Sequence, residues 1–152
     1  TATTPAVGIH PGNAFGTGKN LPLIAMAHHI PYVATASVSN LHDLEAKVEK
    51  AMGICGARYI HIHVPCPLGW GSLPADTVKV ARLAVESGLF PLFEAEHGEI
   101  TSRIPIRRKV PVEEYLKLQR RFAHLFGEDR NAIVMIQEIA DRNIAKFGLE
   151  EK

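Results

Sequence analysis

Arg58-Tyr-Ile-His-Ile-His-Val64, followed by Pro65-Cys66-Pro67-Leu68-Gly69-Trp70-Gly71, is the stretch that decides the fold. Seven residues rich in β-favouring side chains form the clearest strand of the chain, and Pro65 and Pro67 stop it. Proline fixes its own φ and donates no ladder hydrogen bond, so a strand cannot run through it. The loop Cys66 to Leu73 hands the chain to a helix after Pro74, with Val78, Ala81 and Val85 on one face and Gly88 past its end.

Upstream, a short helix over Leu21 to Ile30 is ended by Pro31, and Tyr32-Val-Ala-Thr-Ala-Ser37 predicts another strand. Ser39 and Asn40 offer N-cap oxygens to an amphipathic helix in which Leu41, Leu44, Val48 and Ala51 recur at helical spacing. Asp43 sits near its start, where the helix dipole favours a carboxylate, and the helix ends near Ile54 between Gly53 and Gly56. Residues 1–20, rich in Thr, Pro and Gly, predict a long loop.

Downstream, Phe90 to Glu96 predicts a strand, with Pro91 placing it at a sheet edge or a strand start. His97-Gly98 predicts a turn into a short strand at Ile100 to Ile104. A helix opens at Pro111 with Tyr115, Leu118, Phe122 and Leu125 on one face, and Ile133, Ile136, Ala140, Ile144 and Phe147 mark the last helix. Strands alternating with helices predict an α/β fold, a mostly parallel sheet flanked by helices with a helical C-terminal tail. In such sheets ligands gather beyond the C-terminal ends of the strands, and the strand 58–64 delivers Cys66 to that place.

The chain has 152 residues, 46% hydrophobic and 22% charged, which suits one ordinary globular domain. Its net charge of +1 gives no footprint for nucleic acid or an anionic membrane. Arg107, Arg108 and Lys109 form the one basic cluster and predict a solvated loop. Every apolar run is broken well before the roughly 20 residues that cross a bilayer, and Thr1 opens no signal-peptide pattern. Two cysteines without a secretory signal fit a reducing cytoplasm.

Two nucleotide-binding patterns fail. A phosphate loop ending at Gly18-Lys19 needs Gly at Asn13 and Ser or Thr at Asn20. A dinucleotide fingerprint needs Gly at Leu21 and a preceding strand.

His61 and His63 share one face of their strand, which predicts a polar or partner-facing surface rather than a metal site, since no H-x-x-x-H spacing accompanies them. His28-His29 at a helix end predicts a structural pair serving terminal carbonyls. Cys55 has no second cysteine at C-x-x-C spacing and predicts a small buried hydrophobe.

Cys66 is different, because prolines on both sides aim its thiol from a stiff loop. A cluster ligand or catalytic thiol needs such aiming, whereas a space-filling cysteine does not. From the local residues alone, both a special and a merely structural role stay open.

Pro65-Cys66-Pro67 followed by Gly69-Trp70 is similar to the Pro-Cys-Pro-Thr-Gly-Trp segment of pyruvate synthase beta subunits, members of the 2-oxoacid:ferredoxin oxidoreductases. Ala2-Thr3-Thr4-Pro5, Ile30 to Ser37, Ala81 to Glu86 and Pro111 to Gln119 resemble the same family in order and spacing, over residues 1 to about 126.

The resemblance implies the C-terminal half of a thiamine-diphosphate-binding subunit, with 1–110 as part of the α/β domain and 111–152 as the helical tail. It makes Cys66 the candidate metal ligand, the fourth thiolate of a [4Fe-4S] cluster. The three other cluster cysteines, and the segments holding magnesium and the cofactor diphosphate, are expected upstream of Thr1. The expected function is CoA-dependent oxidative decarboxylation of a 2-oxoacid, or its reverse, with electrons passed singly to ferredoxin. Its expected partners are the other subunits and the missing N-terminal half, with no nucleic acid and no membrane. Leu68 stands where the family usually has Thr, and Gly8 to Gly18 lacks a Trp-Thr-Thr run, which leaves the 2-oxoacid open.

Two rival readings are a non-catalytic assembly module that kept the fold and lost the chemistry, and a small metal protein using Cys66 with His61 or His63.

Overall fold

A computed structural model describes residues 19–127 and 130–151. The expected loop over 1–20 and the Ala2 to Pro5 segment therefore lie outside the described residues, except for Lys19 and Asn20.

Helix α1 (Leu21–Ala27) is capped by Asn20, whose side chain accepts from the Leu23 N–H at 3.1 Å. Strand β1 (Tyr32–Ser37) is buried along its whole length. Helix α2 (Leu41–Met52) leads to β2 (Arg58–His63), which pairs parallel with β1 from Tyr32 opposite Arg58 to Ser37 opposite His63. One helical turn, α3 (Pro67–Trp70), and a 3-10 turn (Pro74–Asp76) precede α4 (Thr77–Glu86). Strands β3 (Phe93–Glu96) and β4 (Glu99–Arg103) follow, then α5 (Val112–Lys117), a 3-10 segment (Arg120–Phe126) and α6 (Asn131–Phe147).

The four strands lie in the order β2-β1-β3-β4, flanked by helices as an α/β fold requires. The sheet is mixed, however, rather than mostly parallel. Only β1 and β2 run parallel, while β3 is antiparallel to both of its neighbours. The cause is where the chain re-enters the sheet: Phe90 packs on the His61 and His63 rings, and Phe93 N–H donates to the Thr35 hydroxyl, near the C-terminal ends of β1 and β2. A strand that begins there must run back.

Pro91 precedes an interior strand, so its missing N–H falls before the ladder begins. The His97-Gly98 turn is observed, with positive φ at both residues (49° and 91°). His29 serves this turn instead of the end of α1, its Nδ1 lying 2.9 Å from the His97 carbonyl oxygen.

Alternation along β1 divides the core. Tyr32 and Ala34 face Ala51 of α2, whereas Val33 faces Phe93, Ile144 and Phe147 on the opposite side. A larger cluster unites α4, α5, the 3-10 segment and α6 around Val80, Leu92, Leu116, Phe122 and Ile136. All five apolar positions that predict the last helix are buried: Ile133, Ile136, Ala140, Ile144 and Phe147. Burial of each large side chain contributes ~1.5–3 kcal/mol, so tertiary packing outweighs helix propensity in holding α6.

Two helix faces differ from expectation. Helix α4 buries Val80, Ala81 and Ala84 and exposes Val78. It is apolar over most of its circumference, and only packing decides which stripe turns inward. Helix α2 buries Lys47 and Ala51, while Leu41 and Val48 are exposed. The small residues of β1 admit Ala51, and the Lys47 ammonium finds the Thr35 carbonyl at 2.9 Å and the Asp43 carboxylate at 2.7 Å. A buried cation with such partners is tolerated where an unpaired one would not be.

The helix expected from Pro111 breaks at Gln119, whose backbone is extended (φ −127°, ψ 111°), yet Tyr115, Phe122 and Leu125 all remain buried. Lys109 pairs with Asp141 at 2.8 Å, and Arg108 lines a surface groove in which Lys79, Arg82 and Lys117 lie with Glu86 and Glu114.

Candidate functional site

The end of β2 turns sharply into α3, and that turn builds the site. Cys66 is the N-cap of α3, with Pro67 at the first helical position. Its Sγ accepts from the Gly69 N–H at 3.4 Å, and its carbonyl accepts from the Trp70 N–H at 2.9 Å. The thiol is exposed to solvent. Cys55 is exposed as well, which corrects the expectation of a buried filler: it follows the end of α2 in a segment bounded by Gly53 and Gly56, outside the packed layers.

Gly71 closes the turn in the left-handed region (φ 67°). Its carbonyl accepts from the Arg120 N–H at 3.3 Å, and a Cβ on Gly71 would lie 2.7 Å from Arg120 Cβ. The Cys66 turn is thereby clamped to the segment after α5.

Trp70 carries the second half of the site. The Arg121 guanidinium lies 3.9 Å from the Trp70 ring centroid, and the His63 ring lies 5.7 Å from it on centroids. His63 also packs against Phe90 at 4.9 Å. It is only 7% exposed, which corrects the expectation of a polar strand surface. The strand's face is polar by composition, but α3 and the Phe90 segment cover it.

Burial, and after it the positive charges of Arg121 and His61, push the His63 pKa down to about 4, so the ring is neutral near pH 7. Neither of its nitrogens has a hydrogen-bond partner among the described residues. His61 is partly buried and stacks edge-on to Phe90 at 5.5 Å, and burial lowers its pKa too.

No site role for Arg121 or Gln119 is among the expectations drawn from sequence, although Gln119 closes the Pro111 to Gln119 stretch of the resemblance. Gln119 is buried at 1% exposure, its Nε2 donating to the Tyr115 carbonyl at 2.7 Å. Its Oε1 accepts from Arg121 Nε at 3.0 Å and Nη2 at 2.7 Å. No spacing rule links an arginine at 121 to a tryptophan at 70, and nothing local in the sequence signals the stack.

Cys66 and His63 are therefore brought to one end of β2, one exposed and one buried. Among the described residues, no three of His, Cys, Asp and Glu gather so as to hold a metal ion. The chemistry the site offers is a single accessible thiol at the start of α3 and, at its end, an indole that carries an arginine.

No protein-family profile matches the chain. Curated relatives do. Pyruvate synthase subunit PorB of Methanosarcina barkeri is 47% identical over 99% of this chain and 51% of its own length. The PorB subunit of Methanothermobacter marburgensis is 49% identical over 93% of this chain and 48% of its own length. The chain belongs to this family of oxidoreductase subunits.

A ketoisovalerate oxidoreductase subunit, VorB of Pyrococcus abyssi, is 45% identical over 70% of this chain and 35% of its own length. The PorB match to Methanosarcina barkeri covers nearly the whole chain, the Cys66 turn and α6 included. The chain spans about half the length of the PorB relatives it matches. Among the described residues, no helix is long and apolar enough to cross a membrane.

Proposed function

We propose that this chain is the C-terminal half of the beta subunit of a 2-oxoacid:ferredoxin oxidoreductase, with pyruvate as the 2-oxoacid. In this reading the assembled enzyme decarboxylates the 2-oxoacid oxidatively, transfers the acyl group to coenzyme A and reduces ferredoxin, or runs the reverse synthesis. It works in the cytoplasm with thiamine diphosphate, magnesium and a [4Fe-4S] cluster. Residues 1–110 complete the α/β domain and 111–152 form its helical tail.

The observation that carries this reading is the exposed Cys66 thiol at the N-cap of a proline-stiffened turn, directly after β2. A cubane cluster takes four thiolates. The only other cysteine, Cys55, lies on the far side of β2 in sequence, outside the proline turn, so Cys66 contributes one ligand and the remaining three come from other polypeptide. When bound, the cluster supplies one-electron transfer. This chain's part is to hold the sulfur in place: Pro67 fixes the turn, the Gly69 N–H steadies the sulfur, and the contact of Gly71 with Arg120 anchors the loop to the core.

The test is co-production with polypeptide covering the rest of the PorB length and with the partner subunits. Pyruvate-dependent, CoA-dependent ferredoxin reduction is expected, and the chain by itself is expected to be inactive. Cys66→Ser should abolish one cluster's electron-paramagnetic-resonance signal while the complex still assembles. An unchanged cluster signal in that variant would refute the ligand role, and turnover by the chain without other polypeptide would refute the half-subunit reading. A non-catalytic assembly module predicts that the complete complex has no activity.

A further inference from the structure

Among the described residues, Arg121 is a cation without an anion. It is half-buried, and none of the ion pairs among the described residues includes it. Its neighbours among the described residues are neutral: the Gln119 amide oxygen, the Tyr115 hydroxyl at 3.4 Å, the Trp70 ring at 3.9 Å and the Phe122 ring at 4.5 Å. Burial draws its pKa below the ordinary arginine value, which is the mark of a charge partly removed from water.

The way it is held leaves one nitrogen of the guanidinium, Nη1, without an acceptor among the described residues. Gln119 occupies the Nε side, and Gln119 is itself locked by the Tyr115 carbonyl. The stack on Trp70 fixes the plane. Nη2 donates to Gln119 Oε1 and, at 3.4 Å, to the Tyr115 hydroxyl, so what remains among the described residues is Nη1 with its two hydrogens. A fixed, charged N–H donor suits an oxygen of a carboxylate or phosphate, through a charge-assisted hydrogen bond.

A second group without a hydrogen-bond partner packs on the same indole. His63 is buried, packs on the same Trp70 ring and has no hydrogen-bond partner for either nitrogen among the described residues. A buried imidazole without partners is costly to the fold. As a neutral ring it has one N–H to donate.

We propose that Arg121, held flat on Trp70 and oriented by Gln119, is the anchor of an oxyanion site that takes a carboxylate or phosphate group, beside the Cys66 turn. The site stands on these contacts and is independent of what Cys66 binds. A small-molecule phosphate and a carboxylate share this chemistry, and titration separates them.

Trp70 is the only tryptophan in the sequence, so its emission reports the site directly. The full 152-residue chain is titrated with inorganic phosphate and, separately, with acetate, each at ionic strength fixed with sodium chloride. A saturable change in Trp70 emission is expected with at least one of them, and which one responds names the group. Arg121→Met keeps the aliphatic stem on the indole and removes the charge, and it should weaken the response by about tenfold or more. Arg121→Lys should retain part of it. A rise in thermal midpoint with the same anion, lost in Arg121→Met, is the companion readout, and circular dichroism confirms that each variant is folded. The proposal is overturned if neither anion gives a saturable change, if chloride alone reproduces it, or if folded Arg121→Met responds like the parent.

Discussion

The Thr35 hydroxyl donates to the Pro91 carbonyl at 2.7 Å and accepts from the Phe93 N–H at 2.9 Å, so one side chain of β1 docks the start of β3. Thr35 is itself 3% exposed. Valine at this position keeps the shape and removes both bonds, stranding a buried N–H. Thr35→Val is expected to destabilise the fold by ~1–3 kcal/mol in urea denaturation, and Thr35→Ser to recover most of the loss. Equal stability of the valine variant would show that the hydroxyl does not fix the β3 entry point.

The His63 ring gives the protein an acid-sensitive core. Its pKa falls from an ordinary 6.5 to about 4 on folding, so between those values the unfolded chain binds more protons than the folded one. Stability is whole above about pH 6.5 and declines as pH drops towards 4, by about 3 kcal/mol in all. The groups acting on the ring are Arg121 and His61, both of which oppose its protonation. His63→Phe, which suits the Trp70 and Phe90 surroundings, should flatten this slope in denaturation curves taken at pH 7, 6 and 5. A slope unchanged by the substitution would place the acid sensitivity elsewhere.

Gly71 is required twice over, by its φ of 67° and by the closeness of Arg120. Gly71→Ala is expected to cost ~1–3 kcal/mol and to alter the near-ultraviolet circular dichroism of Trp70, because the ring rides on the same turn. A spectrum identical to the parent's would mean that the turn absorbs the methyl group without moving the indole.

Both cysteines are free and exposed, so a thiol reagent such as dithionitrobenzoate should titrate two sulfhydryls in the folded protein and one in Cys66→Ser. A single reactive thiol in the folded parent would return Cys55 to the interior.

The sequence carries much of this fold because its strongest signals are local. Tyr32 to Ser37 is a strand to the residue, and the i, i+3, i+7 spacing of Ile133, Ile136 and Ala140 marks the inward stripe of α6 correctly. Where several stripes are apolar, as on α4 from Val78 to Val85, periodicity cannot choose among them, and the neighbours do.

The direction of β3 depends on where α4 delivers Phe90, a long-range matter with no local trace. Within the site, the stiff setting of Cys66 was legible from Pro65 and Pro67 alone. The enclosure of His63 was not, since β-alternation places it on a face without saying what covers that face. Arg121 was invisible for the same reason: its meaning comes from Trp70, some fifty positions earlier.

Strand β2 has a hydrogen-bonded neighbour on one side only among the described residues. Its outer rim therefore presents alternating main-chain donors and acceptors to whatever extended polypeptide comes near. At high concentration one such polypeptide is another copy of the same molecule, so the β2 rim is the place to put a charge or a proline if a preparation self-associates.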